Sequence, residues 1–190
     1  MKEIVLDTET TGLSVKDGHR IVEIGCIELD ELVPTKKIFH CYLNPVRKVS
    51  EDSFKVHGYS DDFLSDKKKF SEIVDDFLLF IEEKKIVIHN AEFDIGHLNN
   101  ELSLIGKNKI NKDNVIDTLD LARNKFPGSA INLDALCKRF RIDNLRKIQK
   151  SLTVKKKLSS YIIKNNFKII TVKKNVKLIK DKILNERNST

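Results

Sequence analysis

The chain has 190 residues, 40% of them hydrophobic and 10 of them Phe, which suits one ordinary domain with a real core, or a domain plus a tail. Its apolar runs, such as Phe77 to Ile81, fall far short of the roughly 20 residues of a membrane span, and no signal-peptide pattern follows Met1. Three scattered cysteines (Cys26, Cys41, Cys137) suit neither a disulfide framework nor a zinc site, so the expectation is a soluble cytoplasmic protein without membrane contact.

In chain order, Glu3 to Asp7 reads as a buried strand and Thr8 to Gly18 as a polar, Gly-containing loop. Arg20 to Asp30 and Lys37 to Leu43 read as two further strands, the second closed by Asn44-Pro45. Ser50 opens a short helix leading to His57-Gly58, and Ser71 to Glu83 shows apolar residues at helical spacing. Lys85 to His89 is a fourth strand. Asn90 leads into a helix with Phe93, Leu98, Leu102 and Ile105 on one side. Asn114 to Thr118 is a short fifth strand, and helices follow near Leu119–Lys125 and Leu133–Phe140, the latter capped by Asn132. Strands first, then helices alternating with strands, predict an α/β domain with a mixed sheet flanked by helices.

The charge divides the chain. Residues 1–137 hold 18 basic and 25 acidic side chains, whereas residues 138–190 hold 17 basic and 3 acidic ones; Pro127 and Gly128 are the last of their kinds. The expected organisation is an acidic domain over residues 1–144 and a basic, Lys-rich tail over 145–190. Such a tail attracts polyphosphates whatever their sequence; equally, it can be a solvated helix face.

Asp7-Thr8-Glu9 carries the chemical signal. In a strand, residues i and i+2 share a face about 6–7 Å apart, so the two carboxylates repel unless a cation sits between them. Hard oxygen donors of this kind select Mg²⁺ or Mn²⁺. Taken alone, the pair is also what a solvated strand end looks like. The context is Val5-Leu6-Asp7-Thr8-Glu9-Thr10-Thr11-Gly12-Leu13, and later Ile88-His89-Asn90-Ala91-Glu92-Phe93-Asp94-Ile95, a second apolar strand leading to a carboxylate at a helix start.

These segments resemble the first and second motifs of the DEDD 3′→5′ exonucleases, in particular the proofreading epsilon subunits of bacterial DNA polymerase III. The resemblance continues through Phe54-Lys55-Val56-His57-Gly58, Asp117-Thr118-Leu119, Phe126-Pro127-Gly128 and Leu133 to Phe140, in the family's order. It implies a ribonuclease-H-like fold and hydrolysis of a 3′-terminal phosphodiester with two divalent ions, Mg²⁺ or Mn²⁺. By this match Asp7 would bridge both ions, Glu9 would bind the ion that carries the water, and Asp94 would hold the second ion largely through water. Thr10, Thr11, Gly12 and Leu13 would cradle the terminal nucleotide with their main-chain amides. Asp52 and His57 fall where the family contacts that nucleotide; a turn-stabilising Asp52 and a hydrogen-bonded, partly buried His57 are the alternatives. A loop histidine has no core duty, which favours contact for His57. His89 and His97 read as structural, and Asn90 and Phe93 as shaping the pocket, with Phe93 equally suited to the core. The implied partners are a single-stranded or frayed DNA 3′ end and the DNA polymerase III catalytic subunit.

The family's third motif, a His followed five residues later by an Asp, has no counterpart. No His follows His97, and past Asp143 the acidic residues are Asp181 and Glu186. The missing His is the family's general base, and the missing Asp completes the first ion's ligands. A frameshift near codon 145, a pseudoexonuclease that binds a DNA end or a polymerase without cutting, and a substitute ligand from Asp181 each account for this. Leu158, Tyr161, Ile162 and Ile163 have partial helical periodicity and could replace the lost helix.

Overall fold

The computed structural model describes residues 2–141. The third-motif region, the basic tail, Asp181 and the Leu158–Ile163 periodicity lie outside them. β1 (Lys2–Thr10), β2 (Ile21–Asp30) and β3 (Val33–Tyr42) form an antiparallel meander. Short helices α1 (Glu51–His57) and α2 (Asp61–Ser65) follow, then α3 (Val74–Ile81). β4 (Lys85–Ile88), α4 (Ala91–Leu104), β5 (Val115–Asp117), α5 (Thr118–Lys125) and α6 (Leu133–Phe140) complete the described chain. The five strands make one mixed sheet of order β3-β2-β1-β4-β5, with β4 parallel to β1 and β5 parallel to β4. This is the mixed α/β sheet expected from the sequence.

The strand period of two sorts β1 onto two faces. Ile4, Leu6, Thr8 and Thr10 are buried, and Ile4 and Leu6 join Ile24, Cys26, Ile86 and Ile88 in the core. α3 covers that face with Val74, Phe77 and Ile81, and α4 with Ile95, Leu98 and Leu102. Glu3, Val5, Asp7 and Glu9 face the other way, into a cleft of about 960 Å³ walled by β4, α5 and the start of α6. A second apolar cluster holds those last helices together through Ala122, Leu136, Cys137 and Phe140.

Three boundaries differ from the sequence reading. β1 runs on to Thr10, because Thr8, Glu9 and Thr10 still pair with Ile24, Glu23 and Ile21 of β2. β3 starts at Val33, since Glu31 and Leu32 alone make the hairpin turn, both at positive φ. α3 starts at Val74, preceded by a 3-10 turn over Phe70–Glu72 in which the Glu72 carboxylate accepts from the Lys69 amide at 2.7 Å. The Ser50 and Asn132 caps form as expected: Ser50 accepts from Ser53 and Asn132 from Ala135. Among the described residues no helix is long and apolar enough to cross a membrane.

Candidate active site

Three carboxylates line the cleft: Asp7 and Glu9 from β1, and Asp94 from the first turns of α4. Asp7 pairs across the sheet with Gly25, whose missing side chain leaves open space beside Asp7 on that face. Asp7 is accordingly exposed. Glu9 pairs with Glu23, a second acid on the same face. Glu23 is held by other groups, since its two oxygens accept from His40 Nε2 and the Tyr59 hydroxyl, both at 2.7 Å.

Asp94 is 3% exposed, and its Oδ1 accepts the Thr8 N–H at 3.0 Å and the Thr8 hydroxyl at 2.7 Å. Burial pushes its carboxyl up to about 6; the Asp7 charge adds to the rise and the Thr8 hydrogen bonds oppose it. α4 starts beside it because Asp117, at the end of β5, caps the helix from outside. The Asp117 carboxylate accepts from Asn90 N at 3.0 Å, Ala91 N at 2.9 Å and Leu119 N at 2.8 Å, joining the starts of α4 and α5. Asn90 makes no side-chain cap and takes a left-handed conformation, φ 69°.

The loop after β1 turns its carbonyls inward. Thr10 O accepts from His57 Nε2 at 3.3 Å, Thr11 O from the Ser50 amide at 3.0 Å, Gly12 O from the Thr10 hydroxyl at 2.7 Å, and Leu13 O from His97 Nε2 at 3.3 Å. The Thr11 amide also points inward, to Arg20 O at 2.9 Å. This corrects the expectation for one residue of the amide cradle: Thr11 is buried and its amide is committed to Arg20 O. Leu13 is 84% exposed beside this turn.

His57 takes the second of its two sequence readings, the hydrogen-bonded and buried one. It ends α1 rather than sitting in a loop, it is buried, and its Nδ1 accepts from the Tyr59 amide at 3.0 Å while Nε2 donates to Thr10 O. Its core duty is to hold the strand end under the loop. Asp52 lies exposed on α1, two residues after Ser50, and pairs with Lys55 at 3.2 Å. His89, read from sequence as structural, has its ring on the cleft wall. His89 Nδ1 is hydrogen-bonded to Thr118 Oγ1 at 3.0 Å, and that hydroxyl also reaches Ile88 O at 3.2 Å. Sequence reasoning missed Thr8, Arg20 and Glu101, whose partners lie more than 80 residues away in the chain.

The donor set is three carboxylates, one of them buried against the charge of another, and that is the chemistry a hard divalent cation relieves. Among the described residues no three acidic, His or Cys side chains close around a single point.

The sheet is ribonuclease-H-like, and Asp7, Glu9 and Asp94 line one cleft of it. The exonuclease family model matches residues 4–147, and the chain belongs to that family. The sequence is 55% identical over 147 residues to the DNA polymerase III subunit epsilon of Rickettsia felis, covering 76% of this chain and 64% of the relative. The chain thus spans just under two thirds of that relative's length. It is 41% identical over 193 residues to the epsilon subunit of Buchnera aphidicola subsp. Schizaphis graminum, covering 97% of this chain and 81% of that one. Among solved structures, exonuclease X in complex with 5′ overhanging duplex DNA superposes with a TM-score of 0.58 at 22% identity, covering 74% of each chain, a likeness of fold.

Proposed function

We propose that this chain acts as a 3′→5′ proofreading exonuclease in DNA replication, hydrolysing the terminal nucleotide of a single-stranded or frayed DNA 3′ end. The observation that carries this reading is the meeting of Asp7, Glu9 and Asp94 in one cleft. The epsilon relatives support DNA as substrate, the DNA polymerase III catalytic subunit as partner, and a cytoplasmic place of work.

Asp7, Glu9 and Asp94 are the residues that would hold divalent ions. Two such ions, Mg²⁺ or Mn²⁺, supply Lewis-acid activation of water and stabilise charge on the leaving 3′ oxygen. Asp94 must give up its proton to join them, because its carboxyl is pushed up to about 6. Gly12 and Leu13 orient the terminal nucleotide, and His57 and Ser50 hold their turn from below. Asp52, exposed on α1, is assigned to contact with the incoming strand by the family match.

No histidine follows His97, so the base that the family draws from its third motif is not supplied there. A positioned general base contributes about 10²–10⁴ in rate, and the expected turnover is lower by that order. The test is a 3′-mismatched primer incubated with the purified chain in Mg²⁺ and in Mn²⁺, beside Asp7→Ala. Slow cutting that disappears in Asp7→Ala supports the reading; no cutting above that control by folded protein sinks it.

A further inference from the structure

We infer that the ion pair between buried Glu101 and half-buried Arg20 is a positioning device that sets the nucleotide-facing turn at a fixed place relative to the carboxylates; the inference rests on the function proposed above. Glu101 is 1% exposed on α4, and accepts from Arg20 Nε at 2.7 Å, Arg20 Nη2 at 2.6 Å and the Ile21 amide at 3.2 Å. The main chain of Arg20 is joined to Thr11 in both directions: the Thr11 amide donates to Arg20 O at 2.9 Å, and the Arg20 amide donates to Thr11 Oγ1 at 3.1 Å. Thr11 leads directly into Gly12 and Leu13.

The same helix carries Asp94, seven residues earlier. Seven residues are about two turns, so Asp94 and Glu101 lie on one face of α4, roughly 10 Å apart along its axis. Asp94 holds Thr8, and Glu101 holds Thr11 through Arg20. One rigid helix therefore grips the end of β1 at two points, one among the carboxylates and one at the turn. His97, between them on α4, adds its bond to Leu13 O.

Stability alone does not account for the pair. Burying Glu101 costs desolvation that offsets much of its Coulomb attraction to the half-buried Arg20, so the pair gives little net stability over apolar residues of similar volume. What a bidentate guanidinium–carboxylate contact supplies beyond apolar packing is a fixed direction and distance. A misplacement of about 1 Å in such a site can cost 10²-fold in rate, so a fixed distance matters here.

The test uses the full chain and fluorescent single-stranded oligodeoxynucleotides ending in a 3′-hydroxyl or a 3′-phosphate. Their dissociation constants are measured by anisotropy in Ca²⁺ to slow cutting, and melting is followed in parallel. The wild-type chain is expected to prefer the 3′-hydroxyl end. Glu101→Gln, and the apolar double variant Arg20→Met/Glu101→Met, are expected to lose about tenfold of that preference. The double variant should melt within a few degrees of wild type, which separates positioning from folding. A folded double variant with wild-type preference overturns the inference, and so does a double variant that does not fold, which would assign the pair to stability. No end preference in the wild type would overturn the functional reading itself, and the inference with it.

Discussion

Asp94 accepts, on one carboxylate oxygen, both the N–H and the hydroxyl of Thr8, at 3.0 and 2.7 Å. A residue of the first carboxylate strand thereby fixes the carboxylate of the second motif. The contact crosses 86 residues of sequence and decides how far Asp94 stands from Asp7 and Glu9.

The first prediction concerns pH. Asp94 has a carboxyl raised to about 6, from an ordinary value of 3.8, by burial and the Asp7 charge. The folded state then binds the proton more tightly than the unfolded chain. Stability from this group is full below about 4 and lost as pH rises through about 6, at a cost of roughly 2–3 kcal/mol in metal-free protein. Metal-free Asp94→Asn should therefore melt higher than wild type at pH 7–8 and not at pH 4. The melting increase on adding Mn²⁺ to wild type should grow between pH 5 and 7 and be absent in Asp94→Asn. Thermal unfolding across that range checks both.

Thr8→Val removes the hydroxyl and keeps the amide. The carboxylate loses one of the two bonds that favour its charged form, so the pH at which Mn²⁺ begins to stabilise the protein should move upward. The expected loss of stability at neutral pH is about 1–2 kcal/mol. Ion titrations followed by melting at several pH values give the shift directly; an unchanged onset would count against the Thr8–Asp94 bond.

Much of this site was legible because its chemistry lies in short segments. Asp7 and Glu9 are two apart in a strand, so their shared face follows from period two alone, and β1 has that alternation. Ser50 and Asn132 were legible as caps for the same local reason. For His57 the sequence left substrate contact and a buried, hydrogen-bonded role both open, because the deciding partner, Thr10, lies 47 residues away in the chain. The Thr11 amide was assigned to substrate because nothing local shows that Arg20 O claims it. The Glu31-Leu32 turn carries none of the Gly or Asn that marks a tight hairpin, so the start of β3 was hidden.

Gly12 gives a third prediction. A Cβ there would clash with the His19 ring, which the Thr11 hydroxyl holds in place through Nδ1 at 3.0 Å. Gly12→Ala must move either the ring or the turn, at an expected cost of about 1–3 kcal/mol. Affinity for a 3′-hydroxyl oligonucleotide should fall with it. Gly12→Ala/His19→Ala opens the space again and should recover stability and affinity together. A double variant no better than Gly12→Ala would show that the ring is not what forbids a side chain at residue 12.

Asp117 gives the last. It is far from the carboxylates in sequence, and its three amide contacts start both α4 and α5. Asp117→Ala leaves the amides of Asn90 and Ala91 without their acceptor at the helix end that carries Asp94. Three charge-assisted bonds at helix starts predict a loss of about 2–4 kcal/mol, with Asp117→Asn intermediate because a neutral amide oxygen accepts more weakly. Loosening the first turn of α4 also loosens Asp94, so metal affinity should fall further than it would for a distant change of equal stability. The comparison is with Leu98→Ala, a core truncation on the same helix expected to cost about 2–5 kcal/mol. Mn²⁺ titrations of both variants, read at a temperature where each is folded, separate the two effects. Equal affinities would mean that Asp117 serves the fold alone, and a weaker Asp117→Ala would tie the cap to the metal carboxylate.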